Sequence, residues 1–187
     1  MSSDDLVHQP QPQSLNASLA DRIKQHRQST GTFLLLDCSS SMGCVLSGND
    51  RAIDKLRRVA RQLRADAPTL RQVIFPATGD DDNAVEIQSD IPEPRGLTPL
   101  AQAITYSADR GALHLIIVSD GMPNSGTEAL KAAQQARCKI DVCFIGNPGD
   151  PGEQFLRNLA AQCGGACDTL DLTTKQLETK IRGFLSA

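Results

Sequence analysis

From about residue 32 onward, short apolar runs alternate with stretches whose apolar residues recur every three or four positions. Thr32-Phe-Leu-Leu-Leu-Asp37 is a run of strand length bounded by small polar residues, the pattern of a strand covered on both faces. Gln72 to Pro76, Leu113 to Ser119, Lys139 to Ile145 and Asp168 to Leu172 read as further strands. In Ala84 to Gln88, Val85 and Ile87 alternate with Glu86 and Gln88, which predicts a half-exposed strand. Helical spacing joins Ile53, Leu56, Ala60 and Leu63; Leu100 and Ile104; Ala129, Leu130, Ala133 and Ala136; Phe155, Leu156 and Leu159; and Leu177, Ile181 and Leu185.

Strands alternating with helices predict an α/β fold: an open, doubly wound, Rossmann-like sheet of about six strands with helices on both faces. The connection between the second and third strands is too short for a crossover, so that pair is an antiparallel hairpin in an otherwise mostly parallel sheet. Residues 1–13 are polar, with Pro10 and Pro12 spaced by Gln, and read as a disordered arm. Leu15, Leu19 and Ile23 lie four apart, one stripe of a short helix over residues 14–29. A single domain then fills 30–187.

Composition narrows the function. The 187 residues are 40% hydrophobic and 22% charged, with a net charge of -3, which is ordinary for a globular protein and gives no general reason to bind nucleic acid. Aromatics are 3%, with no Trp and only Tyr106, so the core is aliphatic and no base-stacking platform is expected. No run approaches the roughly 20 apolar residues of a membrane span, and the first residues do not resemble a secretory signal. A cytoplasmic setting with six free thiols is the expectation.

The candidate chemistry sits where strands end. Asp37, Ser39 and Ser41 follow the first strand; Asp120 follows the fourth; Thr98 precedes the helix leading into the fourth, as its N-cap, with Pro99 at its first position. In an open parallel sheet, loops after strands share one edge, and ligands bind there at the switch point. Two carboxylates and three hydroxyls suit an oxygen-seeking cation such as Mg²⁺, with Mn²⁺ or Ca²⁺ as substitutes, better than zinc. The plainer alternative is a Ser-rich turn with an Asp capping a helix. A phosphotransferase or hydrolase using Asp37 is a third reading, although Ser39 stands where such a site needs a second carboxylate and no lysine accompanies the motif. A fourth is a metal-independent adaptor built on the outer side of the second helix, with Arg51, Lys55, Arg57, Arg58, Arg61 and Arg64. Asp80, Asp81 and Asp82 read as a solvated turn, and His114 as a satisfied strand residue. Cys38 packs beneath the motif, and Cys138, Cys163 and Cys167 belong to the opposite edge.

Asp37-x-Ser39-x-Ser41, Gly96-Leu97-Thr98-Pro99-Leu100 and Ser119-Asp120-Gly121-x-Pro123-Asn124 together resemble the von Willebrand factor type A (VWA) family and its metal-ion-dependent adhesion site. The resemblance covers about residue 30 to the end. It implies a six-stranded sheet whose third strand is antiparallel. It also implies a non-enzymatic module in which Ser39 and Ser41 bind Mg²⁺ directly, Thr98 directly or through water, and Asp37 and Asp120 chiefly through water. A partner protein's Asp or Glu would complete the ion's shell. Intracellular relatives often work with ATPases or chelatases, which makes such assemblies the expected partners.

Overall fold

The computed structural model describes residues 31–45, 50–77, 83–169 and 174–186. Six strands form one sheet: β1 (Thr32–Asp37), β2 (Arg71–Phe75), β3 (Val85–Glu86), β4 (His114–Ser119), β5 (Lys139–Phe144) and β6 (Cys167–Thr169). Their order is β3-β2-β1-β4-β5-β6, with β3 antiparallel to β2 and every other pair parallel. Among the described residues, five α-helices cover it: α1 (Ala52–Asp66), α2 (Leu100–Ala108), α3 (Gly126–Ala136), α4 (Pro151–Gln162) and α5 (Thr174–Ser186). This is the architecture read from the alternation. The arm over 1–13, the helix over 14–29 and the acidic turn at 80–82 lie outside the described residues.

The two-residue period of the strands divides the core. Phe33, Leu35, Val73, Phe75, Leu115, Ile117, Val142 and Phe144 pack against α2, α3 and α4. Leu34, Leu36, Ile74, Ile116, Val118 and Cys143 pack against α1 and α5. Each central strand is therefore buried on both faces, which is why β1 and β4 are apolar between their ends, over residues 33–36 and 115–118. Full burial of each such aliphatic side chain stabilises the fold by about 2 kcal/mol. Among the described residues, no helix is long and apolar enough to cross a membrane.

Three expectations need correction. β3 is shorter than predicted, because only Val85 and Glu86 pair in full with β2 and Ile87 adds a single bond to the Gln72 carbonyl at 2.9 Å. Thr98 does not cap α2: Pro99 is the N-cap, the helix starts at Leu100, and no side chain caps it. Thr98 is instead drawn to the neighbouring loop, where its amide donates to Asn124 Oδ1 at 2.6 Å. Lys55, placed on the outer basic face, is buried.

The arginines of α1 are not a free cationic surface. The segment leaving β3 runs antiparallel to the helix, and the arginines hold it at successive turns. Arg64 donates to the Gln88 carbonyl at 3.3 Å, Arg61 pairs with Asp90 at 2.8 Å, and Arg57 donates to the Ile91 carbonyl at 2.8 Å. Arg57 and Arg51 both reach Glu93, at 2.9 and 2.8 Å. Arg58 pairs with Asp50. Each exposed pair adds little by itself, but together they fix the course of the strap that ends at Thr98. The adaptor reading loses its free charges to this internal contact.

At the opposite edge, Asp141 is buried and accepts from the Ala166 amide at 2.7 Å and from Lys139 at 2.9 Å, with His114 Nε2 at 2.7 Å. His114 is thus a satisfied strand residue, as expected. The same turn places Gly165 against β5: an added Cβ would lie 2.0 Å from the Ile140 carbonyl oxygen. All six cysteines are free thiols, and Cys38 is buried with its Sγ toward the Leu36 carbonyl at 3.5 Å.

We expect Gly165→Ala to cost about 3 kcal/mol or more, because backbone must move to relieve the clash. Gly164→Ala, with φ +71° but open space around it, should cost only about 1 kcal/mol. Urea unfolding of the two variants side by side checks the difference.

Candidate metal centre

The connections on the two sides of β1 and β4 leave in opposite directions, so the gap between these strands is the switch point of the sheet. Asp37 is the last residue of β1 and Asp120 the first after β4. They stand on the two sides of that gap.

A continuous chain of contacts runs from the core to the surface. Asp37 is fully buried. Its Oδ2 accepts from Ser119 Oγ at 2.6 Å across the gap, and its Oδ1 from the Ser39 amide at 2.8 Å. Ser39 Oγ lies 3.0 Å from Ser41 Oγ, and Ser41 Oγ donates to Asp120 Oδ1 at 2.8 Å. Ser39 is buried, Ser41 exposed and Asp120 half-buried. The short 3-10 helix Ser40–Gly43 makes this possible. It turns the chain sharply after β1, so that residues two apart, Ser39 and Ser41, face the same spot.

Thr98 arrives on the strap. The Arg95 amide donates to the Cys38 carbonyl at 2.8 Å, and the Ser40 amide to the Gly96 carbonyl at 3.2 Å. Gly96 has φ +68°, a conformation a side chain would strain. The Asn124 amide donates back to the Thr98 carbonyl at 3.0 Å, closing a two-way tie with the loop after β4. Thr98 is buried. The structure thus delivers all five predicted residues to one sheet edge, and hydrogen bonds link four of them directly. Ser119 and Asn124 are the partners whose roles the sequence reading missed, although both lie inside the quoted motif.

The electrostatics are those of a carboxylate without a countercharge. Burial pushes the Asp37 carboxyl up to about 7, and the bonds from Ser119 and Ser39 offset only part of it. Burial also raises the Asp120 carboxyl, against the hydrogen bond from Ser41. Among the described residues no arginine or lysine forms a salt bridge with either. No group of three or more His, Cys, Asp or Glu occurs among them that could hold a metal. A cation here would have to rest on hydroxyls as much as on carboxylates. That donor set fits Mg²⁺ or Mn²⁺ and not zinc.

The chain has the fold of a von Willebrand factor type A domain. A VWA structure from Catenulispora acidiphila aligns over 83% of this chain with a TM-score of 0.56 and 14% identity. This chain spans only 41% of that one. The manganese-loaded TRAP protein of Plasmodium vivax aligns over 84% of this chain and 74% of its own, with a TM-score of 0.53 and 19% identity. No protein-family model and no curated protein sequence matches. At these identities the likeness speaks for the fold.

The Asp37 environment has a sign that can be measured without metal. An exposed Asp titrates near about 4, so between about 4 and about 7 the folded chain holds a proton that the unfolded chain has released. In EDTA, stability should therefore fall as pH rises through that window, by on the order of a few kcal/mol, and level off above it. Asp37→Asn should remove this contribution and be the more stable chain at pH about 8. Chemical denaturation across pH checks both.

Proposed function

We propose that this chain is a protein-interaction module that holds a divalent cation, Mg²⁺ or Mn²⁺, at Asp37, Ser39, Ser41, Thr98 and Asp120. The cation would take an acidic side chain from a partner protein. The observation that carries the reading is the graded path from the buried, uncompensated Asp37 through Ser39 to the exposed Ser41 and half-exposed Asp120. A positive ion would relieve a buried negative charge there, with donors of the right hardness around it.

Each residue has a task of its own. Ser119 and the Ser39 amide fix the Asp37 carboxylate, so it can orient an ion or its waters without moving. Ser39, Ser41 and Thr98 offer neutral oxygens, which leave an ion's charge less neutralised than three carboxylates would. When bound, the cation supplies an open position that attracts a carboxylate. One of the proteins with this fold is manganese-loaded, which agrees with a divalent-ion site in the same architecture. Partners of the ATPase or chelatase class remain the expectation drawn from the sequence resemblance, and the chain itself performs no chemistry on this reading.

Mg²⁺ or Mn²⁺ should raise the melting temperature of the wild type. At a hundredfold excess over Kd the gain corresponds to about 2.7 kcal/mol. Because the ion competes with the proton on Asp37, the rise should be larger at pH about 8 than at pH about 5.5. Asp37→Ala should abolish it, and a partner captured in Mg²⁺ should be released by EDTA. Absence of any metal-induced stabilisation, or Asp37-dependent release of phosphate from acetyl phosphate, would overturn the proposal.

A further inference from the structure

Four large hydrophobic residues are exposed among the described residues: Val45 at 64%, Leu97 at 62%, Leu113 at 72% and Met122 at 49%. Leu113 lies at the far edge of the sheet, just before β4. The other three sit on the loops that carry the candidate centre. Leu97 directly precedes Thr98, Met122 follows Asp120 by two positions, and Val45 follows Ser41 by four. Exposed apolar residues scattered singly need no explanation, whereas a group around a polar centre marks an interaction surface.

Their placement is enforced. Leu97 is held between Gly96, whose φ is +68°, and Thr98, which is buried and tied to Asn124 at 2.6 Å. The loop bearing Met122 is propped by α4: an added Cβ at Gly152 would lie 2.9 Å from the Gly121 carbonyl carbon and 3.1 Å from the Met122 amide nitrogen. Val45 forms a bridge with Arg51, the arginine that also holds Glu93 of the strap. The loops that converge to bring hydroxyls and carboxylates together thus also carry three exposed apolar residues. Half-exposed Asp120 lies two positions before Met122 and bonds to Ser41, so a second acid on a ligand there would meet a like charge.

Resting on the metal-capture reading above, we infer that Val45, Leu97 and Met122 form an apolar collar that selects its ligand. The partner is a protein segment presenting one Asp or Glu with an aliphatic or aromatic side chain within two positions of it, not an acidic run or a small free anion. Covering the collar removes apolar surface from water and excludes solvent from the charged contact, which strengthens that contact.

The test is a displayed library of random peptides, selected on the immobilised full chain in Mn²⁺ and eluted with EDTA. The expected pool is enriched in a single Asp or Glu accompanied by Leu, Ile, Met or Phe. A synthetic peptide from that pool should bind about tenfold more weakly to Leu97→Ser and to Met122→Ser. The Mn²⁺-induced rise in melting temperature should persist in both variants, and Leu113→Ser should bind the peptide like the wild type. Enrichment of acidic residues without apolar company overturns the collar, as does unchanged affinity in both variants with the Mn²⁺ response intact. A wild type that shows no Mn²⁺ response fails at the metal step, and the collar falls with it.

Discussion

Ser119 donates to Asp37 across the gap between the two central strands, and the site is arranged about that one bond. β1 and β4 are neighbours in register, Leu36 opposite Val118, so the residues that follow each pair meet at the edge of the sheet. A carboxylate at this depth is costly in an aliphatic core. Two donors lower the cost without cancelling it, and the carboxyl titrates near 7 as a result. The chain tolerates the remainder because both faces of the sheet are closed by apolar layers. Stability accumulated in those layers is what allows one unfavourable group to persist where ligands meet this fold.

Positioning Thr98 takes a longer route. A hairpin that turns away from the edge must be followed by a segment that returns to it, and that segment has little regular structure of its own. The arginines of α1 and its N-cap guide it, from Arg64 at Gln88 to the N-cap Arg51 at Glu93. Asn124 then receives its end. The helix that looks from its sequence like a surface for an acidic partner has found that partner inside the same chain, in Asp90 and Glu93. Exposed ion pairs are poor sources of stability. A series of them along an irregular segment still restricts it to one path, and here that path decides whether a third loop reaches the centre.

The sheet was legible because period and burial agree. Strands buried on both faces must be apolar between their ends, and β1 and β4 are, over residues 33–36 and 115–118. The hairpin followed from connection length alone. Element ends were less legible, since competing tertiary bonds set them: Thr98 has the residue type of a helix cap, but Asn124 draws it away, and no local pattern contains that contact. Lys55 was misplaced for a related reason, because a long cationic side chain can be covered while its helix stays at the surface. The candidate residues were readable as three motifs. What bound them together, Ser119 on Asp37 and the strap on α1, lies in contacts between residues 82 and up to 42 positions apart. The matching acids Asp90 and Glu93 were the available signal for the strap, and they mean something only once the helix and the segment run side by side.

Depth separates the roles within the centre. Asp37, Ser39 and Thr98 are buried, so nothing outside the chain can touch them without an intermediary. Ser41 and Asp120 reach the surface, and Leu97 and Met122 are exposed on the converging loops. A partner can therefore meet the rim directly but can interact with the buried floor only through something small enough to sit between. Structural neighbours at 14% and 19% identity share the sheet, where almost any aliphatic residue serves. The floor is stricter. Exchanging Asp37 for a neutral residue relieves the core and removes the charge that gives an intervening ion a reason to bind. The feature least favourable to folding is thus the one on which the proposed interaction depends.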